Sequence, residues 1–286
     1  MPFPPPLPNP LIADLMPVLH TTPLEHFPIG NIPLSQHAVP LGWKKHPHAW
    51  ISLVDWLAAA ESASLTILDE QERVLAWHGE QPDLTNAMTA FHSFLMTHSW
   101  ELLKANEEHL SHLAQSTIHG DIHPSAVVEG NVELGTGSRI LPGVYIEGNV
   151  IIGDHCKIGP NCYIRGATSI GDHCHIGQAV EIKNSLILSH TSIGHLSYVG
   201  DSVIGRKVNF GAGTITSNFR HDGKNHRTMV DGCLVDTGRR KFGAIIGDHV
   251  HTGIHTAIYP GRKIAANATT RPGEIVQQDI PSPLSL

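Results

Sequence analysis

Ile152-Gly153-Asp154-His155-Cys156-Lys157-Ile158 returns eighteen residues later as Ile170-Gly171-Asp172-His173-Cys174-His175-Ile176. Steps of six taken outward from this pair meet Ile122, Val128, Leu134, Ile140, Ile146, Ile152, Ile158, Ile164, Ile170, Ile176, Ile182 and Leu188, all aliphatic. Four places after each of the first eleven stands a second small or apolar residue: Ala126, Val132, Ser138, Val144, Val150, Cys156, Cys162, Thr168, Cys174, Val180 and Leu186. A period of six suits neither a helix nor a simple strand. It suits hexapeptide repeats, three short strands per coil of a parallel β-helix, with two inward positions in each hexad. The register slips by one residue near Ile193 and again near Ile204, and is lost between about Thr216 and Gly243. It returns with Ile246, Thr252, Ile258, Ile264, Thr270 and Val276. A loop inserted over about 216–243 therefore leaves the coil, and loops of that length inside a regular repeat are usually functional.

The rest of the chain is built differently. All five tryptophans precede residue 117, whereas all four cysteines and all four tyrosines follow it. Two separately organised parts are expected. Prolines at 2, 4, 5, 6, 8 and 10 make residues 1–20 an extended tail. Residues 21–98 read as a small α+β module. In it Ile51, Val54, Leu57 and Ala58 stand at helical spacing within Trp50 to Ala63, and Leu65 to Trp77 reads as strand, turn, strand. A longer helix, capped by Asp83 and broken once, is expected to run to about Ala114, burying Met88, Phe91, Leu95, Leu103 and Leu110. Its last part, 99–117, serves as a linker helix to the β-helix of 118–280.

Apolar residues make up 41% of the 286, enough for a sizeable core. A formal charge of −7 argues against general nucleic-acid binding, which calls for surplus Lys and Arg. No run of eighteen apolar residues occurs, and Met1 to Pro6 lacks a basic segment leading into an apolar one. A cytoplasmic protein without membrane contact is the expectation.

Gly194-His195-Leu196-Ser197-Tyr198-Val199-Gly200-Asp201 and Asn209-Phe210-Gly211-Ala212-Gly213-Thr214-Ile215-Thr216-Ser217-Asn218 break the monotony. A histidine, a tyrosine and two asparagines among small residues suit a small polar substrate better than a core, and His195 falls at a register slip. Cys156, Cys162 and Cys174 occupy second inward positions, so they read as small core residues of a reducing compartment. Cys233 has no evident partner. His155 and His173, eighteen residues apart with His175 nearby, would stack on successive coils.

These blocks, together with Glu181-Ile182-Lys183-Asn184-Ser185, resemble the acetyltransferase half of the bifunctional enzymes that make UDP-N-acetylglucosamine. Ser217-Asn218-Phe219-Arg220 and Gly238-Arg239-Arg240-Lys241-Phe242-Gly243-Ala244 are most similar to the archaeal branch, as is Ser99 to Asn106. The resemblance spans about 99–280 and implies a left-handed β-helix, a homotrimer with sites between neighbouring coils, and acetyl-CoA as cosubstrate. It makes His195 the general base acting on the amine of an amino-sugar phosphate, glucosamine 1-phosphate foremost, with Asn209 and Asn218 beside it. Arg165, Glu181, Lys183, Tyr198, Lys224 and Arg227 would bind the sugar phosphate, Arg227 standing where the archaeal pattern has lysine. Ala212, Gly253 and Pro272 would line the CoA groove, and no metal is implied. An imidazole suits proton transfer near neutral pH, and basic side chains suit a phosphate.

Met1 to Ala114 is too short for the nucleotidyltransferase half and lacks its Gly-rich loop, although Phe27-Pro28-Ile29-Gly30-Asn31-Ile32-Pro33-Leu34 is similar to a later piece of it. No uridylyltransferase activity is expected. Three other readings stay open on the residues: an acetyltransferase for a nucleotide-linked amino sugar, a metal-dependent hydratase like the β-helical carbonic anhydrases using His155, His173 and His175, and a non-catalytic trimeric scaffold.

Overall fold

The computed structural model describes residues 23–283; the proline-rich tail lies outside them. Among the described residues one compact unit comprises 23–28 and 32–97, the other 29–31 and 98–283.

In the first unit four strands run in the order Trp43–Lys45, Val74–His78, Thr66–Leu68 and Ala87–Thr89. The strand, turn and strand expected within Leu65 to Trp77 are present. A helix, α1 (Leu53–Glu61), starts where Ser52 accepts a hydrogen bond from the Val54 N–H. Its inward face differs from the expectation. Leu57 is 57% exposed, while Ala59 and Asp55 are buried. Asp55 tolerates burial because its carboxylate accepts from the His92 N–H (3.0 Å) and Ser93 Oγ (2.6 Å).

The long helix expected from Asp83 is a correction. Asp83 does cap a turn, accepting from the Thr85 N–H, but the turn is a three-residue 3-10 segment, Leu84–Asn86. Ala87–Thr89 then pairs in parallel with Thr66–Leu68, and Phe94–Leu95 pairs with Ala49–Trp50. An open sheet edge offers these residues backbone partners, and that outweighs local helix preference. Phe91 is left 72% exposed.

His46 carries a testable consequence. Burial, then the neighbouring charges of His48 and Arg73, hold its imidazole down at about 4, against an ordinary 6.5. Between those values the unfolded chain takes up the proton and the folded unit does not, so stability falls as pH falls through that window. The thermal midpoint of this unit should drop between pH 6.5 and 4. His46→Asn keeps an acceptor for the His48 N–H, which Nδ1 now provides at 3.1 Å. It should flatten the dependence.

The second unit begins with the helix α2 (Glu101–Ser111) and continues as the coil. Leu102, Leu103 and Leu110 are buried. Asn106 Oδ1 accepts from Ser169 Oγ (2.8 Å) and its Nδ2 donates to the Ala167 carbonyl (3.1 Å), fixing the helix on one side of the coil.

The protein is mainly β, and the coil is a left-handed parallel β-helix. Its three faces hold six, eight and eight strands. On the first, Ile122, Ile140, Ile158, Ile176, Ile193 and Phe210 stand in register. On the second, Val128, Ile146, Ile164, Ile182 and Val199 do so. On the third the column runs Leu134, Ile152, Ile170, Ile187, Ile204, Ile246 and Ile264. These columns, with Cys156, Cys162 and Cys174, fill the interior.

One detail of the spacing is corrected. Ile170 pairs with Ile187, so the step-of-six series leaves register before Leu188, one hexad earlier than the slip read near Ile193. Asn184, at φ 47°, tightens the turn between the second and third faces, and Asp201, at φ 49°, does the same one coil later. The insertion leaves from this same corner. It carries a hairpin of Arg227–Val230 and Cys233–Asp236, and the coil resumes at Ala244–Ile246.

Candidate active site

His195 ends the strand Ser192–His195 at the corner where the first face turns into the second. Its side chain is exposed. The turn is held by its backbone: the His195 carbonyl accepts from the Gly213 N–H (3.1 Å) and Ser197 Oγ (2.8 Å), and Leu196 takes φ 51°. Coil upon coil at this corner, the Ala212 carbonyl accepts from the His255 N–H (2.7 Å) and the Ile254 carbonyl from the Gly273 N–H (2.8 Å). A Cβ on Gly253 would lie 2.4 Å from Pro272 N, so the stacking here requires glycine. His195, Ala212, Ile254 and Pro272 thus stack in register along an edge of the coil, and Gly253 lies next to this column, one residue before Ile254. Asn209 stands apart from it on the first face, exposed, in register between Ser192 and His251.

The other candidates gather on the second face and at its far corner. Arg165 donates to Glu181 Oε1 through Nε (2.9 Å) and Nη2 (2.7 Å). The pair raises the guanidinium above its ordinary value, and the guanidinium also lies over the Tyr163 ring. Lys183 Nζ donates to Asp201 Oδ2 (2.9 Å). Asn218 Nδ2 donates to Tyr198 Oη (2.9 Å) and to Asp201 Oδ2 (2.6 Å). Burial first, then the charges of Asp201 and Glu181, push the Tyr198 phenol up, so it stays protonated.

Lys224 and Arg227 lie in the insertion, lining a pocket with Arg220, Asp222, Asn225 and Asp236. Among the described residues no hydrogen bond joins them to Arg165 or Lys183. Three residues of this region were not read from the sequence as functional. Asp201 is the hub of the corner, Glu107 of α2 accepts from Asn184 Nδ2 (2.6 Å) and from Arg239, and buried His226 meets the Asn218 carbonyl at 3.0 Å. Glu107 is far away in the chain, and no spacing could have signalled it.

Gly200 sits within this cluster. A Cβ there would lie 2.5 Å from Tyr198 Oη and 2.6 Å from Asn218 Nδ2. Gly200→Ala should leave the coil folded, displace both groups, and lower turnover about a hundredfold, as expected for a misplacement of about 1 Å. Steady-state kinetics beside a thermal melt checks this.

His155 and His173 do stack, rings 5.0 Å apart, but the next ring of the stack is His190, at 4.8 Å from His173. His175 lies instead on the first face, where burial, Lys157 and His195 keep its imidazole below the ordinary value. Among the described residues no group of three or more His, Cys, Asp or Glu is placed to hold a metal ion. Nor is any helix among them long and apolar enough to cross a membrane.

The parallel β-helix thus carries an exposed histidine at one corner and a cluster of Lys183, Tyr198, Asp201 and Asn218 on the next face and its far corner. The C-terminal part of the chain is homologous to that of archaeal bifunctional sugar-1-phosphate nucleotidylyltransferase/acetyltransferase proteins. One such protein from Sulfurisphaera tokodaii is 38% identical over 224 residues, 78% of this chain and 53% of its own. The bifunctional protein GlmU of Methanococcus maripaludis strain C7 is 53% identical over 183 residues, 64% of this chain and 44% of its own. That of Methanocaldococcus jannaschii is 39% identical over the same length. The chain spans about half the length of the curated relatives it matches. A family profile described as the GMPPB C-terminal domain matches residues 146–271.

Proposed function

We propose that the chain is an acetyl-CoA-dependent N-acetyltransferase for an amino-sugar phosphate, glucosamine 1-phosphate foremost, working in the cytoplasm as a homotrimer. The observation that carries this reading is the stack of His195, Ala212, Ile254 and Pro272 at one corner of the coil, with Gly253 beside it. A cosubstrate laid along it brings its thioester to the imidazole, and the polar cluster of the second face begins three residues later at Tyr198. His195 takes a proton from the amine as nitrogen attacks the thioester carbonyl, forming the C–N bond. The C–S bond then breaks and the thiolate leaves protonated, so no covalent enzyme intermediate is required. Asn209 and Asn218 position the amine and carbonyl.

The cations of the second face are each already matched by a carboxylate, Arg165 by Glu181 and Lys183 by Asp201. Charge for the phosphate is therefore drawn from Lys224 and Arg227 of the insertion, with Arg165 and Lys183 supplying directed N–H groups. The names of the relatives support the sugar-phosphate class. A thiol-release assay with acetyl-CoA and glucosamine 1-phosphate, galactosamine 1-phosphate and nucleotide-linked amino sugars tests the reading. Turnover restricted to the sugar 1-phosphates is expected, and thiol release with none of them overturns it.

A further inference from the structure

At the corner between the second and third faces lies a carboxylate that the mechanism above does not use. Asp201 is only 2% exposed. Burial of a carboxylate is costly unless its lone pairs are filled. Here Lys183 Nζ (2.9 Å) and Asn218 Nδ2 (2.6 Å) donate to Oδ2, and Asn184 Nδ2 (2.9 Å) donates to Oδ1. The backbone is pinned as well. The Asp201 N–H donates to the Lys183 carbonyl (2.8 Å), and its own carbonyl accepts from the N–H of Gly243, where the insertion rejoins the coil (2.8 Å). A fixed anion therefore stands where the preceding coil and the end of the insertion converge.

What it holds is informative. A lysine ammonium on a four-carbon stem has many rotamers, and an asparagine amide can turn end for end. Bound to one oxygen of Asp201, Lys183 and Asn218 each keep a single orientation, and Asn218 extends the order to Tyr198 Oη. From outside the coil Asn184 ties the same carboxylate to Glu107 of α2, which also binds Arg239 of the insertion.

We propose that Asp201 is a positioning residue for the acceptor: its buried carboxylate fixes the Lys183 ammonium and the Asn218 amide in the arrangement that receives the amino-sugar phosphate, without touching it. This rests on the acetyltransferase reading above. Asp201→Asn tests it in the full chain. The turn accepts the change, because asparagine already occupies the equivalent corner one coil earlier, Asn184 at φ 47°. The amide, however, offers one acceptor where three donors converge.

With acetyl-CoA and glucosamine 1-phosphate, kcat/KM for the sugar should fall about a hundredfold, mostly through KM, with KM for acetyl-CoA within about twofold of wild type. In a Lys183→Met background the same substitution should add about threefold or less, because part of what it disorders is already gone. Wild-type values for Asp201→Asn overturn the proposal alone. So does failure to fold, or an equal loss for both substrates, because either marks a merely structural carboxylate. A wild-type chain that releases no thiol overturns the acetyltransferase reading and this inference with it.

Discussion

Alanine at position 195 should lower kcat for acetyl transfer about a thousandfold, the size expected for losing a positioned general base. KM for acetyl-CoA and for the sugar should stay within about threefold, since the imidazole acts while the bond forms rather than in holding either substrate. The fold should survive. The corner is built from the His195 carbonyl, which accepts from Gly213 and Ser197, and not from the exposed ring. Thiol release measured with a thermal melt separates the outcomes. A variant that turns over within about threefold of wild type removes His195 from the role of base, and one that melts early shows the ring to be structural.

The second large effect concerns the coil. Ile176 is fully buried, in register between Ile158 and Ile193 in the first-face column. Ile176→Ala removes three carbons from a close-packed interior and should cost about 2–5 kcal/mol. Each coil touches only the coils above and below, so the surrounding backbone cannot collapse onto the gap without breaking its own ladder. Leu57→Ala is the matched control. The sequence places Leu57 on the inward side of α1, but it is 57% exposed, and its loss should stay within about 0.5 kcal/mol. Urea unfolding of both variants against the unmodified chain decides this. Equal destabilisation would mean that α1 is covered in solution.

What the sequence made legible follows the strength of each local rule. Twelve aliphatic positions at one spacing leave little freedom. The β-helix, its two inward positions per hexad and the place of the insertion all follow from that period. Where the rule weakened, so did the reading. Between Asp83 and Trp100 the composition admits either helix or strand, and the free edge at Thr66–Leu68 decided for strand. On α1, Val54 and Leu57 fit a helical stripe, but the buried Asp55–Ser93 pair turned another side inward.

The sequence by itself determined that a three-sided coil forms, that it is interrupted once, and that His195 and Tyr198 stand three residues apart in a stretch that breaks its monotony. It could do so because each coil repeats the one before it, so that near neighbours in the chain are near neighbours in space. Only the tertiary structure decided that Glu107, Asn184, Asp201 and Asn218 meet at one corner, or that His190 rather than His175 continues the histidine stack. Those contacts join separate coils, a helix and a long insertion, and their geometry depends on the tight turns at Asn184 and Asp201, whose backbone conformation no periodicity of side chains reveals.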